Sequence, residues 1–233
     1  MSEPRLDTDD EGFVRLSVEE ALVLGEKGLR KIGFNADEAA IVAAHLVDAS
    51  TWGYAFAGLP RILVMADRPE LKRPRLPLKI VRESPVSALI DGGNQVGYIT
   101  LPRTMDIAIE KVRASGVAIV GLRNTWFSGR NAYYLEKIAR AGYVAVYFAS
   151  STPTVVPPGA KKKALGTNPL AIAIPGKDNP FIFDMGTASV MSGEIMMKAI
   201  LGESFDETLG IDKDGKPTRS ARELRSEEHT SEL

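Results

Sequence analysis

Two stretches of this chain share one grammar. "LPRTMDIAIEKVRASG", residues 101–116, reads as a helix closed by Gly116, and the apolar run "VAIVGL" follows it as a strand. "SGRNAYYLEKIARAG", residues 128–142, reads as a second helix closed by Gly142, with "YVAVYFA" as the next strand. Glycine just past a last helical turn accepts the left-handed backbone that ends a helix. An apolar run that does not alternate is the mark of a strand covered on both faces. Two helix–glycine–strand units in succession therefore predict a largely buried sheet with helices on its faces, an α/β fold. The likeness between the units is architectural and not a sequence repeat.

The chain before them is helical. Ser17 with Glu20 forms a capping box, after which Val18, Ala21, Leu22, Leu29 and Ile32 share one face up to Gly33. Asn35 with Glu38 repeats the signal, and Ala39, Val42, Ala43, Leu46 and Val47 form the next stripe. A third apolar piece, "LPRILVM", leads to residues 67–80, whose prolines and basic residues read as a connector. Beyond the α/β units, "VSALIDGG" reads as a strand ending in a turn. "NPLAIAIP" and "PFIFDMG" read as further strands, "ASVMSGEIMMKAILG" as a helix and "DKDGKP" as a turn. The division is a disordered N-terminus at 1–15, a helical segment and connector at 16–80, and a mixed-sheet α/β core at 81–224. The tail "RSEEHTSEL", residues 225–233, has no apolar period and matches the translated read-through of a sequencing adapter. The expectation is a chain truncated at its C-terminus near Leu224, with His229 belonging to the artefact.

Composition removes several function classes. Lys+Arg 29 against Asp+Glu 30 leaves no basic footprint for nucleic acid or an acidic membrane. Cys 0 excludes disulfides, thiolate nucleophiles and cysteine metal sites. No apolar run approaches the roughly 18 residues of a membrane span, so a cytoplasmic protein is expected. No G-x-G-x-x-G follows a strand, and G-x-x-x-x-G-K-[ST] and H-E-x-x-H are missing, so no metal site is expected. "DKDG" resembles half a calcium loop, but Gly210 stands where the first ligand belongs, which leaves a turn.

Three constellations carry chemistry. "ALGTNP", residues 164–169, is a corner that exposes backbone N–H groups and an amide side chain, and it serves a plain turn equally well. In "FDMGTAS", residues 183–189, a strand ends in Asp184, and Gly186, Thr187 and Ser189 open a helix. Amides and hydroxyls there suit an anion or a sugar, or only an N-cap. "GYAFAGLPRI", residues 53–62, holds the lone cation Arg61, whose planar fork suits a carboxylate, although a surface arginine at a helix start is the alternative. His45, beside an apolar stripe, reads as a packed helix histidine, and the lysines at 161–163 as a solvated loop. Tyr133 and Tyr134, adjacent on a helix, cannot both face inward.

Taken in order, "GLPR", "DGGNQVGY", "AIEKVRASGVAIVGLRN", "PPGAKKKALGTNPLAIAIPG", "FDMGTAS" and "GIDKDGKPT" resemble the malate/L-lactate dehydrogenase family, from about Leu16 to Thr218. These are NAD(P)-dependent oxidoreductases without a Rossmann motif. The resemblance implies an N-terminal helical segment on a non-Rossmann α/β core of the sulfolactate/malate dehydrogenase type. It also implies a homodimer, NAD or NADP as cofactor, and a small 2-hydroxy or 2-oxo acid as substrate. Cofactor contacts fall by resemblance on Gly166, Thr167, Asn168, Phe181, Asp184, Met185, Gly186 and Thr187, and the substrate carboxylate on Arg61. Family members continue past residue 224 with a further glycine-rich segment, so a fragment ending there is expected to expose apolar surface and to be inactive.

The family's "SHG…R" aligns with Phe56, Ala57, Gly58 and Arg61, placing its proton-donating histidine on Ala57. Its "N-x-N-H-F-G" aligns with Asn124 to Gly129, placing a second histidine on Phe127. Both imidazoles are replaced. A divergent enzyme using Tyr54 or Tyr133 as the acid is the preferred reading, since the cofactor loops match while the substrate corner has changed coherently. Ligand binding without turnover, and a proton taken through water, are the alternatives.

Overall fold

The computed structural model describes residues 14–160, 162–212 and 214–225. The acidic N-terminus through Phe13, Lys161, Lys213 and the tail from Ser226 with His229 lie outside them. Two compact units meet in sequence after Arg73, inside the proline-rich stretch.

In the first unit, α1 (Val18–Lys31) begins at Ser17, whose hydroxyl accepts the Glu20 amide at 3.2 Å while the Glu20 carboxylate accepts the Ser17 amide at 2.8 Å. α2 (Ala36–Thr51) repeats the box with Asn35 and Glu38 at 2.9 and 3.0 Å. Two orphan amides are satisfied at each start, which fixes where both helices begin. The stripe from Ala39 to Val47 is buried, as its spacing predicts, and His45 is buried with it. Val18 departs from the predicted α1 face and is exposed. It occupies the first helical position, where the Cβ leans toward the open N-terminal end. A 3-10 turn at Ala55–Ala57 and the short α3 (Arg61–Ala66) complete the unit, with a second 3-10 turn at Pro69–Lys72.

The second unit opens with β1 (Lys79–Ser84), which begins within the residues read as connector, and β2 (Ser87–Val96). They pair antiparallel through a tight turn. The predicted turn after "VSALIDGG" is instead an irregularity inside β2, whose pairing resumes at Gln95. The cause is local: Asp91 accepts the Gly93 amide at 2.9 Å and the Asn124 side-chain amide at 2.8 Å, holding the kink against the neighbouring strand. α4 (Gly97–Ser115) then crosses over, ends at Gly116 with φ 78°, and delivers β3 (Ile119–Trp126) parallel to β2. α5 (Ala132–Arg140), β4 (Ala145–Phe148), β5 (Leu170–Ile174) and β6 (Phe181–Met185) follow. α6 (Ser192–Leu201), the small hairpin β7 (Gly210–Ile211) and β8 (Pro217–Thr218), and α7 (Ala221–Arg225) close the described chain.

The predicted single, largely buried sheet is replaced by two three-stranded sheets, β1-β2-β3 and an antiparallel β4-β5-β6. Helices cover one face of the second sheet. Ala145, Ala173 and Ile182 form one cross-strand row on that face, and Tyr147, Ala171 and Asp184 the next. These rows pack under Tyr134, Leu135 and Ile138 of α5 and Leu101 and Met105 of α4. The opposite face stays open and apolar, with Phe148 73 % and Phe181 61 % exposed. Continuous apolar character in β4 and β6 thus reflects a second face left uncovered among the described residues, not a strand enclosed on both sides.

Candidate functional site

Three loops leave the same edge of the β4-β5-β6 sheet: residues 149–153 after β4, 164–169 before β5 and 186–190 after β6. They are knitted together by hydrogen bonds between main-chain groups and short polar side chains. The Thr187 amide donates to the Thr167 carbonyl at 2.8 Å, and the Thr187 hydroxyl reaches the Asn168 carbonyl at 3.1 Å. Ser151 accepts the Thr167 amide on its hydroxyl at 3.0 Å and donates its own amide to Asn168 Oδ1 at 3.2 Å. Asn168 takes φ 31°, a left-handed backbone that asparagine tolerates better than most residues. Gly166 is buried against Ser151, and a Cβ there would lie 2.6 Å from the Ser151 carbonyl oxygen.

This assembly corrects the helix start read at Gly186, Thr187 and Ser189. α6 begins at Ser192, with Met191 as a cap that makes no side-chain bond. Thr187 is instead spent on the neighbouring loop, which holds 186–190 off a helical path. Hydroxyls and amides remain available along the edge, but not as a helix N-terminus.

Beneath the loops lies a polar cluster centred on Asp184. One carboxylate oxygen accepts the Ala132 amide at 2.8 Å, the other the Asn131 side-chain amide at 3.2 Å. Asn131 is 3 % exposed and its Oδ1 is buried without a hydrogen-bond partner. Tyr134, fully buried, donates to the Ser128 carbonyl at 2.8 Å, while the Ser128 side chain bonds Tyr147. Burial first, and the Asp184 charge after it, push the Tyr147 hydroxyl up to about 12 against the Ser128 bond. Phe127, next to this cluster, has φ 54°. For a bulky aromatic this is a strained backbone, of the kind that concentrates at functional sites.

The eight positions assigned to the cofactor do not lie together. Gly166, Thr167, Asn168, Gly186 and Thr187 share the loop edge. Asp184 points to the helix-covered face, whereas Met185 and Phe181 lie on the open one, and Phe181 stands at the far end of β6. Four residues at roughly 3.3 Å rise each separate Phe181 from the loop edge. Tyr133 is half-buried against the Tyr134 ring, with only Tyr134 fully inside. Sequence reasoning missed Ser151, Ser128, Asn131 and Tyr147. The readable signals were the small hydroxyls closing "YVAVYFASS" and the alternation that sets Tyr143, Ala145 and Tyr147 on one face.

In the first unit, Arg61 is half-buried at the start of α3, its amide donating to the Gly58 carbonyl at 2.9 Å. Gly58 approaches Ser50 so closely that a Cβ there would meet the Ser50 hydroxyl, which would have to turn away. Ala57 is buried, and Tyr54 is 40 % exposed with its ring edge-on to Phe56. Among the described residues no cluster of His, Asp or Glu is placed to hold a metal, and no helix is long and apolar enough to cross a membrane.

Comparison with known proteins agrees with this architecture. The chain is 34% identical over 220 residues to malate dehydrogenase of Pyrococcus abyssi, covering 92% of this chain and 60% of that protein. It is 32% identical over 210 residues to ureidoglycolate dehydrogenase (NAD(+)) of Escherichia coli K12, covering 88% and 60%. The solved sulfolactate dehydrogenase of Methanocaldococcus jannaschii superposes with a TM-score of 0.75 at 33% identity, covering 94% of this chain and 63% of that one. The chain thus spans about 60% of the length of these relatives. Residues 16–231 match the profile described as malate/L-lactate dehydrogenase, and the chain belongs to that family.

Proposed function

We propose that this protein is an oxidoreductase that moves a hydride between NAD or NADP and C2 of a small 2-hydroxy or 2-oxo acid. The observation that carries the reading is the bonding of Thr187 to the carbonyls of Thr167 and Asn168, which builds one polar edge from two loops 20 residues apart. Its donor set is neutral hydroxyls and amides, from Ser151, Thr167, Asn168 and Thr187, the chemistry that fits ribose hydroxyls and a carboxamide. These residues, with Gly166 and Gly186 keeping the backbone close, would hold the dinucleotide. Asp184 anchors the edge from below, and Phe181 and Met185 would offer apolar surface only. When bound, the cofactor supplies or accepts the hydride.

Arg61 would grip the substrate carboxylate with a charge-assisted, two-pronged contact. Ala57 and Phe127 stand where the resemblance places the family's histidines, so the reading takes the proton at the substrate oxygen from another group. Among the described residues of the second unit there is no histidine, and His45 is buried in α2. Tyr54 and Tyr133 are the donors proposed from sequence. The same replacements favour a second reading, a protein that binds cofactor or ligand without turnover. A homodimer and a cytoplasmic location belong to the first reading by likeness to the family, and are tested by light scattering and by cell fractionation.

Reduced-cofactor fluorescence with the full-length protein and a panel of 2-oxo acids separates the two. Oxidation of NADH or NADPH by any member of the panel supports the enzyme. Enhanced fluorescence with no oxidation across the panel supports the binder, and no change in fluorescence overturns both.

A further inference from the structure

Asn131 is 3 % exposed, yet its Oδ1 is buried without a hydrogen-bond partner. Buried polar atoms in folded proteins are almost always paired, so an orphan of this kind points to a group that the chain itself does not supply. Which way the amide faces is decided by its neighbour. The Asp184 carboxylate only accepts, so the Asn131 nitrogen turns toward it, at 3.2 Å, and the oxygen turns away. The carboxylate cannot swing aside, because its other oxygen accepts the Ala132 amide at 2.8 Å. Asn131 Oδ1 is therefore an acceptor held in one direction.

Its place in the fold is just under the loop edge. The last pair of β5 and β6 at that edge is Leu170 with Met185, and Asp184 lies one residue, about 3.3 Å of strand, below it. Asp184 is half-buried, as are Gly129, Tyr133 and Gly186, which flank the pair in sequence, so the two side chains lie at the margin of the core. The acceptors of the edge itself are engaged. The Thr167 and Asn168 carbonyls take bonds from Thr187, and Asn168 Oδ1 takes the Ser151 amide. The hydroxyls of Ser151, Thr167 and Thr187 can serve sugar hydroxyls, which both donate and accept. A primary carboxamide differs, because each of its two N–H groups needs an acceptor, and Asn131 Oδ1 is one.

We propose that Asn131 is a cofactor-binding residue whose Oδ1 accepts an N–H of the nicotinamide carboxamide, with Asp184 as the positioning residue that aims it. The inference rests on the cofactor half of the reading above. The contact pairs an acceptor that is otherwise buried alone, so the carboxamide is recognised by its hydrogens and not by its shape alone. A site built in this way discriminates against an analogue that lacks the donor.

The test is calorimetric and needs no turnover. The full-length protein is titrated with NAD or NADP, whichever binds more tightly, and with the 3-acetylpyridine analogue of the same cofactor. The acetyl group of the analogue keeps the carbonyl and has no N–H. The unchanged protein is expected to bind the analogue at least roughly ten-fold more weakly. Asn131→Ala is expected to bring the two affinities together, chiefly by weakening the parent cofactor. Asp184→Asn, which no longer dictates which end of the Asn131 amide turns outward, should lower the ratio as well, and it provides a second variant if Asn131→Ala does not fold. Equal affinities in the unchanged protein, or an undiminished ratio in either variant, overturn the assignment and leave the cofactor reading intact. A full-length protein that binds neither NAD nor NADP overturns the cofactor reading and this assignment with it.

Discussion

The backbone amide of Ala132 donates to Asp184 Oδ2 at 2.8 Å, so the first turn of α5 is capped by a carboxylate from strand β6. Asn131, the residue at the cap position, makes no side-chain cap of its own and instead gives its amide to the same carboxylate. Residues 52 apart in sequence therefore close one helix end. Asp184→Ala strands both donors and is expected to destabilise the protein by about 1–3 kcal/mol. Asp184→Asn, which retains an acceptor oxygen, should cost less, and urea titration of both variants checks the order.

The Thr187 hydroxyl serves the carbonyls of Thr167 and Asn168 at 3.3 and 3.1 Å. Thr187→Val keeps the shape and removes that link. Loss of a neutral hydrogen bond is worth about 1 kcal/mol, so reduced-cofactor affinity should fall roughly five-fold. Fluorescence titration of the full-length protein measures it, and an unchanged Kd removes this bond from the cofactor edge.

Two glycines of the edge differ in what a methyl group would meet. At Gly166 it meets the Ser151 carbonyl oxygen at 2.6 Å and Asn168 Oδ1 at 2.8 Å, while at Gly186 it meets the Met191 sulfur at 2.5 Å. Backbone cannot yield as a thioether can. Gly166→Ala should therefore weaken cofactor binding at least ten-fold (about 1.4 kcal/mol), and Gly186→Ala far less. Equal affinities in the two variants would contradict this reading of the loops.

Arg61 begins α3 in the first unit. A charge-assisted hydrogen bond contributes about 1.5–3 kcal/mol, so Arg61→Ala should raise the substrate KM by roughly ten- to a hundred-fold without altering cofactor affinity. Arg61→Lys retains charge but not the fork and should fall between. Steady-state kinetics with the best 2-oxo acid of the panel decides the matter.

Alkaline stability follows from Tyr147. Its hydroxyl is raised from 10.0 to about 12, so between these values the unfolded chain has released a proton that the folded chain still holds. Stability is untouched below the lower value and is lost as pH rises toward the upper one, by about 1.4 kcal/mol per pH unit. Tyr147→Phe should flatten that part of a denaturation profile, and an equally steep loss in the variant would place the effect elsewhere.

Local physics made part of this legible. The boxes at Ser17–Glu20 and Asn35–Glu38, the stops at Gly116 and Gly142 and the stripe on α2 all depend on residues within about one helical turn of each other. So each could be read along the chain. The α/β class and the strands β2 to β6 were readable for the same reason, whereas β1, β7 and β8 were not read as strands. What periodicity could not give was strand partnership. "VAIVGL" and "YVAVYFA" look alike, yet β3 runs parallel to β2 while β4 belongs to another sheet.

The caps, the buried stripe of α2, the family and the corner at 164–169 are all written in the order of the residues. Three further relationships exist in the folded molecule alone: Thr187 binds back to Thr167, Ser151 joins them, and Asp184 faces α5 while Phe181 and Met185 face away. The difference is one of range. Capping and periodicity act over a few neighbouring residues, whereas these choices are made by hydrogen bonds across strands, between residues 16 to 52 positions apart. Their geometry exists only after the sheet has set its register, and register fixes at once which side chain of every pair meets the helix.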